Sequence, residues 1–175
     1  IDAVRLRYED PARYWRVSEF ISGEVMQRAF AEWRSVHSRC RGALVWFLKD
    51  LWPGAGWGII DSEGNPKSVW YALKRCWQPR GLCITDESLN GLDIHVYNES
   101  ATPLRGRLKL RVFNPQGACL LAAEDDIEVA ARSTQRIEAT HLIGRFFDLA
   151  YVYRFGPLAH QLVSVELQSE AGRSM

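Results

Sequence analysis

The chain has 175 residues, 47% of them hydrophobic, enough to build a buried core and too many for a disordered chain. Its 22 basic and 21 acidic side chains leave a net charge of +1, which gives no electrostatic basis for binding nucleic acid or an anionic membrane. No apolar run approaches the ~18–20 residues of a membrane span, so neither nucleic acid nor membrane is expected as a partner.

Asp10 followed by Pro11 reads as a helix start, a side-chain cap before a residue whose missing N–H costs nothing there. Tyr14, Val17, Phe20 and Ile21 follow at helical spacing. Ser22-Gly23 is expected to interrupt, and Val25, Ala29, Trp33 and Val36 form a second apolar stripe. The run Ala43 to Leu48 is continuously apolar and short, which suits a strand buried on both faces. A Gly- and Trp-rich loop leads to another helix whose buried side is Val69, Ala72, Leu73, Cys76 and Trp77.

All seven tryptophans lie between Trp15 and Trp77, and Gln78-Pro79-Arg80-Gly81 marks the break. Beyond it, apolar and polar residues alternate: Leu92, Ile94, Val96; Leu108, Leu110, Val112; Ile127, Val129; Val163, Val165, Leu167. Period-two alternation means one buried and one wet face per strand. Asn98-Glu99-Ser100, Asn114-Pro115-Gln116-Gly117 and Gly156-Pro157 read as turns, and Leu142 to Phe147 as a helical turn. About seven strands in that length fit an immunoglobulin-like antiparallel β-sandwich. The fold class is therefore mixed: an N-terminal α/β fragment, then an all-β sandwich. The expected domains are residues 1–80, 81–170 and a tail, 171–175.

A single buried parallel strand has no sheet of its own, so helix, strand, loop and helix make one unit of an α/β barrel or a related parallel sheet. Neighbours from elsewhere are implied, and without them apolar surface should be exposed. The chain opens on Ile1 rather than Met, which suggests an excised or processed piece; its compartment is not legible.

The loop Trp46 to Asp61 follows the expected strand, where α/β barrels place their active sites. Tryptophan faces cover the apolar faces of a pyranose and a carboxylate takes up hydroxyls, so Trp46, Asp50 and Trp52 are candidate sugar contacts. The alternative is that the tryptophans plug the end of a barrel. Asp50 either orients substrate, Trp46 or Lys49, or caps the loop and pairs with Lys49. Asp61, before Ser-Glu-Gly, looks like turn chemistry, and Lys67 and Lys74-Arg75 like solvated helix charges. Cys40, Cys76, Cys83 and Cys119 lack zinc-ligand spacing and read as buried free thiols, with a Cys76–Cys83 disulfide left open. His37, His95, His141 and His160 show no metal-ligand spacing either, and no nucleotide, metal or flavin motif is present, so no cofactor is expected.

Three stretches together carry a resemblance: Met26 to Arg34; Cys40-Arg41-Gly42-Ala43-Leu44-Val45-Trp46-Phe47-Leu48-Lys49-Asp50-Leu51-Trp52-Pro53; and Trp57, Asp61, Gly64, Lys67, Tyr71 and Lys74-Arg75. Over about residues 12–79 this pattern resembles the end of the barrel of the β-mannosidases, family 2 of the glycoside hydrolases. The resemblance implies that Ala43 to Leu48 is the last strand of a TIM barrel, that Ser68 to Trp77 is its closing helix, and that a sandwich follows. It also implies a parent enzyme that hydrolyses terminal β-linked sugars with retention, through two glutamates at upstream barrel strands. Ser18-Glu19-Phe20 superficially resembles the nucleophile site, but Glu19 sits on a helical stripe and Ile21 stands where the family has glycine. No catalytic residue is therefore assigned to this chain, which is expected to be inactive without its missing N-terminal part. Lys49-Asp50 replaces the family's Asn-Asp, so strict β-mannoside specificity is not implied. The alternatives are a non-catalytic carbohydrate-binding or protein-interaction sandwich; the β part has no tryptophan, and Tyr97, Tyr151 and Tyr153 are its candidate stacking residues.

Overall fold

The structure, a computed structural model, describes residues 2–153 and 156–169; the expected tail, 171–175, lies outside them. The chain is mixed helix and strand and divides into two compact units. One comprises the residues up to Trp33 together with Arg39–Gln78; the other comprises Arg34–Ser38 and the residues from Pro79 onward.

The first unit holds α1 (Ala3–Glu9), most of α2 (Pro11–Arg34) and α3 (Ser68–Cys76). Asp2 caps α1 by accepting from the Arg5 N–H, and Asp10 caps α2 by accepting from the Arg13 N–H, both at 3.0 Å. The expected break at Ser22-Gly23 is absent, and α2 runs straight through it. Gly23 marks a close approach instead: a Cβ there would meet the Ser68 carbonyl oxygen at 3.3 Å and the Ala72 Cβ at 3.6 Å. Phe30, Ile59, Val69 and Leu73 form this unit's core, with Met26, Val45 and Trp70 against it. The buried residues of α2 are thus Gly23, Phe30 and Ala31, with Met26 half-buried, while Val25 and Trp33 of the expected stripe stay exposed.

The expected strand Ala43 to Leu48 is not formed. These residues are irregular, and Leu44 is 99% exposed. A strand is defined by the ladder it shares with neighbours, and here the pairing is reduced to isolated bridges, Lys49 with Ile60 and Ile60 with Pro66. The exposed apolar surface that such a unit should show is present, and includes Trp15, Leu44, Trp46, Leu48, Leu51, Trp52 and Trp57.

The second unit contains two three-stranded antiparallel sheets. One orders β1 (Arg80–Asp86), β2 (Leu92–Asn98) and β5 (Ser133–Glu138); the other orders β4 (Cys119–Val129), β3 (Leu104–Phe113) and β6 (Leu162–Ser169). Ile94 and Val96 from the first and Leu104, Leu108, Leu110, Val112 and Leu167 from the second share one core, making a β-sandwich of six strands among the described residues. Strand β3 alternates cleanly between buried and exposed. The helical turn after β5 is α4 (Ala139–Ile143), a few residues earlier than expected. The turns at Asn98 and Asn114 form as expected, each through the asparagine side chain: Asn114 Oδ1 accepts from the Gln116 and Ala118 N–H groups.

Strand β2 departs from the one-wet-face expectation, because Asp93, His95 and Tyr97 are buried too. The Arg34–Ser38 segment of the same unit covers them. The Arg34 guanidinium lies 3.8 Å over the Tyr97 ring, and the Val36 N–H donates to His95 Nδ1 at 3.4 Å. His95 therefore carries its proton on Nε2 and donates to Thr85 Oγ1, which donates to Glu87 Oε1. Burial holds the His95 imidazole below its ordinary pKa. None of the four cysteines is fully buried, against the expectation: Cys40, Cys76 and Cys83 are half-buried and Cys119 is exposed. Among the described residues, no helix is long and apolar enough to cross a membrane.

Candidate functional site

The Gly- and Trp-rich loop is closed at its base by backbone pairing. The Asp50 N–H donates to Ile60 O at 3.0 Å, the Ile60 N–H to Leu48 O at 3.0 Å, and the Lys67 N–H to Ile59 O at 3.0 Å. The Trp46–Phe47 peptide is cis. From this base Asp50 points inward, 5% exposed. Its Oδ1 accepts from the Gly58 N–H at 2.7 Å, and its Oδ2 pairs with Lys67 Nζ. Lys67 also donates to the Gly56 carbonyl at 3.1 Å. Carboxylate and ammonium thus clamp both arms of the loop.

Lys67 accordingly is not the solvated helix charge the sequence suggested, and it takes the place of Lys49 as the partner of Asp50. The Lys67 hydrogen bond holds the Asp50 carboxyl below its ordinary pKa, outweighing burial. Glycines at 56 and 58 are required by this packing: a Cβ on Gly56 would lie 2.2 Å from Asp50 Oδ1, and one on Gly58 2.5 Å from the Asp50 nitrogen. Lys67 belongs to the pattern that carries the resemblance, but no sequence signal paired it with Asp50 or singled out these two glycines, because the contacts depend on how the loop closes.

The clamp presents the aromatic residues outward. Trp46 is 78% exposed and Trp52 71% exposed, and Trp57 and Leu51 are exposed beside them in sequence. Such surfaces can stack on apolar faces of a ligand, while the engaged Asp50 carboxylate serves to shape the loop. Asp61 behaves as turn chemistry: the Asn65 side-chain amide donates to its Oδ2 at 3.0 Å, and the Asn65 and Glu63 N–H groups donate to its Oδ1 at 2.7 and 2.9 Å, bonds that lower its pKa, the Asn65 side chain foremost.

Glu19 lies within α2, on a helix as expected, and its Oε1 accepts from the Ser68 N–H at 3.4 Å, placing a carboxylate at the N-terminal end of α3. Lys74 and Arg75 are solvated. In the second unit, a cavity of about 430 Å³ is lined by Arg136, Glu138, His141, Phe146, Asp148 and Tyr153, among others. The same unit brings His37, Glu87 and Asp93 together, a cluster that spacing along the chain did not reveal.

No family model matches the chain. It is 33% identical over 120 residues to β-mannosidase B of Aspergillus niger, an alignment covering 60% of this chain and 14% of that protein. In fold it is similar to the β-D-mannosidase of Dictyoglomus thermophilum, with a TM-score of 0.75 and 22% identity over 93% of this chain and 18% of that one. It is also similar to an exo-chitosanase of Amycolatopsis orientalis, with a TM-score of 0.67 and 13% identity over 92% of this chain and 18% of that one. The chain therefore spans less than a fifth of the length of each of these proteins.

Proposed function

We propose that this β-mannosidase-related chain is the C-terminal part of a retaining, exo-acting glycoside hydrolase that removes terminal β-linked sugars. In this reading residues 1–80 are the end of a (β/α)8 barrel, and residues 81–170 an immunoglobulin-like sandwich that braces it. Residues 43–48 become the last barrel strand when neighbouring strands supply the missing ladder. The observation that carries the reading is the clamped loop, whose Asp50–Lys67 pair holds Trp46 and Trp52 outward in a chain with a β-mannosidase-like sequence.

Trp46 and Trp52 stack on the sugar, and Asp50 sets the loop that presents them. The nucleophile and acid/base come from two glutamates in the rest of the parent, because the carboxylates of this loop are engaged in its own structure. The isolated chain is inactive, and no cofactor takes part. A second reading, a non-catalytic carbohydrate-binding sandwich, draws on the cavity beside Phe146 and Tyr153, whose rings meet edge to face at 5.3 Å.

The deciding experiment compares hydrolysis of aryl β-mannoside, β-glucoside and β-galactoside by the full-length parent and by this 175-residue chain. Activity in the parent alone supports the hydrolase reading, and the preferred glycoside names the sugar. Activity in the isolated chain, lost on Glu19→Gln, overturns the assignment of catalysis to upstream residues. No activity in either favours the binding module.

A further inference from the structure

We propose that His37, Glu87 and Asp93 form a binding site for a divalent transition-metal cation, Zn²⁺ by donor type, on the covered face of strand β2. One donor atom from each residue lies within 4.8 Å of the others. One imidazole nitrogen and two carboxylates form a borderline donor set that suits Zn²⁺ better than Mg²⁺ or Ca²⁺, which favour oxygen ligands alone.

The independent observation is Asp93. It is 1% exposed, and its Oδ1 has no hydrogen-bond partner among the described residues, while its Oδ2 is taken by Arg136 and lies 3.6 Å from His37 Nε2. An unsatisfied oxygen on a buried carboxylate is costly, and a cation would relieve it. Charge points the same way. Asp93 and Glu138 share one guanidinium, that of Arg136, and Glu87 adds a second carboxylate beside Asp93, so the carboxylates of the cluster outnumber the cation paired with them. Thr85 Oγ1 donates to Glu87 Oε1 at 2.6 Å and orients that carboxylate, as outer hydrogen bonds do for metal ligands.

Donors in a tetrahedral zinc site stand roughly 3.3 Å apart, given bonds of ~2.0–2.2 Å. Asp93 is the buried anchor, and the exposed His37 and half-buried Glu87 close in on the ion. Water completes the coordination.

The test is calorimetric titration of the metal-stripped chain with ZnCl₂, repeated with Co²⁺ under visible spectroscopy. One equivalent should bind, and His37→Ala and Glu87→Gln should each weaken binding by about tenfold or more. His37 and Glu87 are not part of the hydrophobic core, so both variants should remain folded, as circular dichroism checks. His141→Ala, outside the cluster, should leave binding unchanged. No saturable binding overturns the proposal. So does binding unaffected by His37→Ala, or a Co²⁺ spectrum dominated by thiolate charge transfer, which would place the ion on cysteine.

Discussion

Gly58 shows how much of the candidate loop rests on a missing side chain. A Cβ there would lie 2.5 Å from the Asp50 nitrogen and 2.6 Å from Asp50 Oδ1, too close to backbone for a side-chain shift to relieve. Gly58→Ala should therefore destabilise the first unit by about 1–3 kcal/mol, the usual cost of overpacking, measured by urea denaturation followed through tryptophan fluorescence. An unchanged midpoint would mean that the loop closes differently. Asp50 carries a linked prediction. Lys67 lowers its folded pKa below the unfolded value, so its contribution to stability is complete above the unfolded value and is lost as pH falls through the folded one. Asp50→Asn should lower the melting temperature at neutral pH and flatten its acid dependence below about pH 4; a parallel pH profile would show that the pair adds nothing. Trp46 and Trp52 stand apart from this framework. Trp46→Ala and Trp52→Ala should leave stability nearly unchanged and lower kcat/KM of the full-length parent by roughly tenfold each, the worth of one stacking contact.

At the scale of elements, the α2–α3 contact decides what Gly23 is for. Ser22-Gly23 carries the composition of a helix break, yet the helix continues because the absent side chain lets α3 approach. Gly23→Val should cost about 1–3 kcal/mol by forcing the helices apart, whereas Gly23→Ala combines a tight contact with a helix-propensity gain of about 1 kcal/mol and should be close to neutral. Thermal unfolding of both variants separates packing from propensity: an equal loss in the two would mean that even a single Cβ is not accommodated at this contact. The contrast marks what the sequence could and could not convey. Caps such as Asp10 and Asn114 act within a few residues, and the alternation in β3 reflects one sheet face, so both were legible. The second buried face of β2 was not, because its cover comes from Arg34–Ser38, distant in the chain. Residues 43–48 read as a buried strand because apolarity reports a need for burial, while strand geometry also requires hydrogen-bonding neighbours. In the site, the types Trp, Asp and Gly were visible, but the Asp50–Lys67 pairing was not, since nothing local distinguishes Lys67 from a solvated helix-start lysine.

For the molecule as a whole, the exposed apolar residues of the first unit are the feature with consequences in solution. Leu44, Trp46, Leu48, Leu51, Trp52 and Trp57 all fall within one short stretch of chain and are exposed. The proposed sugar site would use Trp46 and Trp52, but it gives Leu44 and Leu48 no role. Soluble monomers rarely leave large contiguous apolar patches uncovered, and such patches drive association. The isolated chain should therefore bind a hydrophobic dye and sediment as concentration-dependent oligomers. Burying each leucine is worth about 1.5–3 kcal/mol, so replacing both Leu44 and Leu48 by Ser should weaken self-association by at least tenfold in analytical ultracentrifugation. The sandwich offers the control. Leu110, fully buried in its core, should cost about 2–5 kcal/mol of stability when replaced by Ala, without relieving the association. A wild-type chain that stays monomeric and dye-free at high concentration would show that residues 43–48 find cover within the chain itself, and would remove the reason to seek their partners in a barrel.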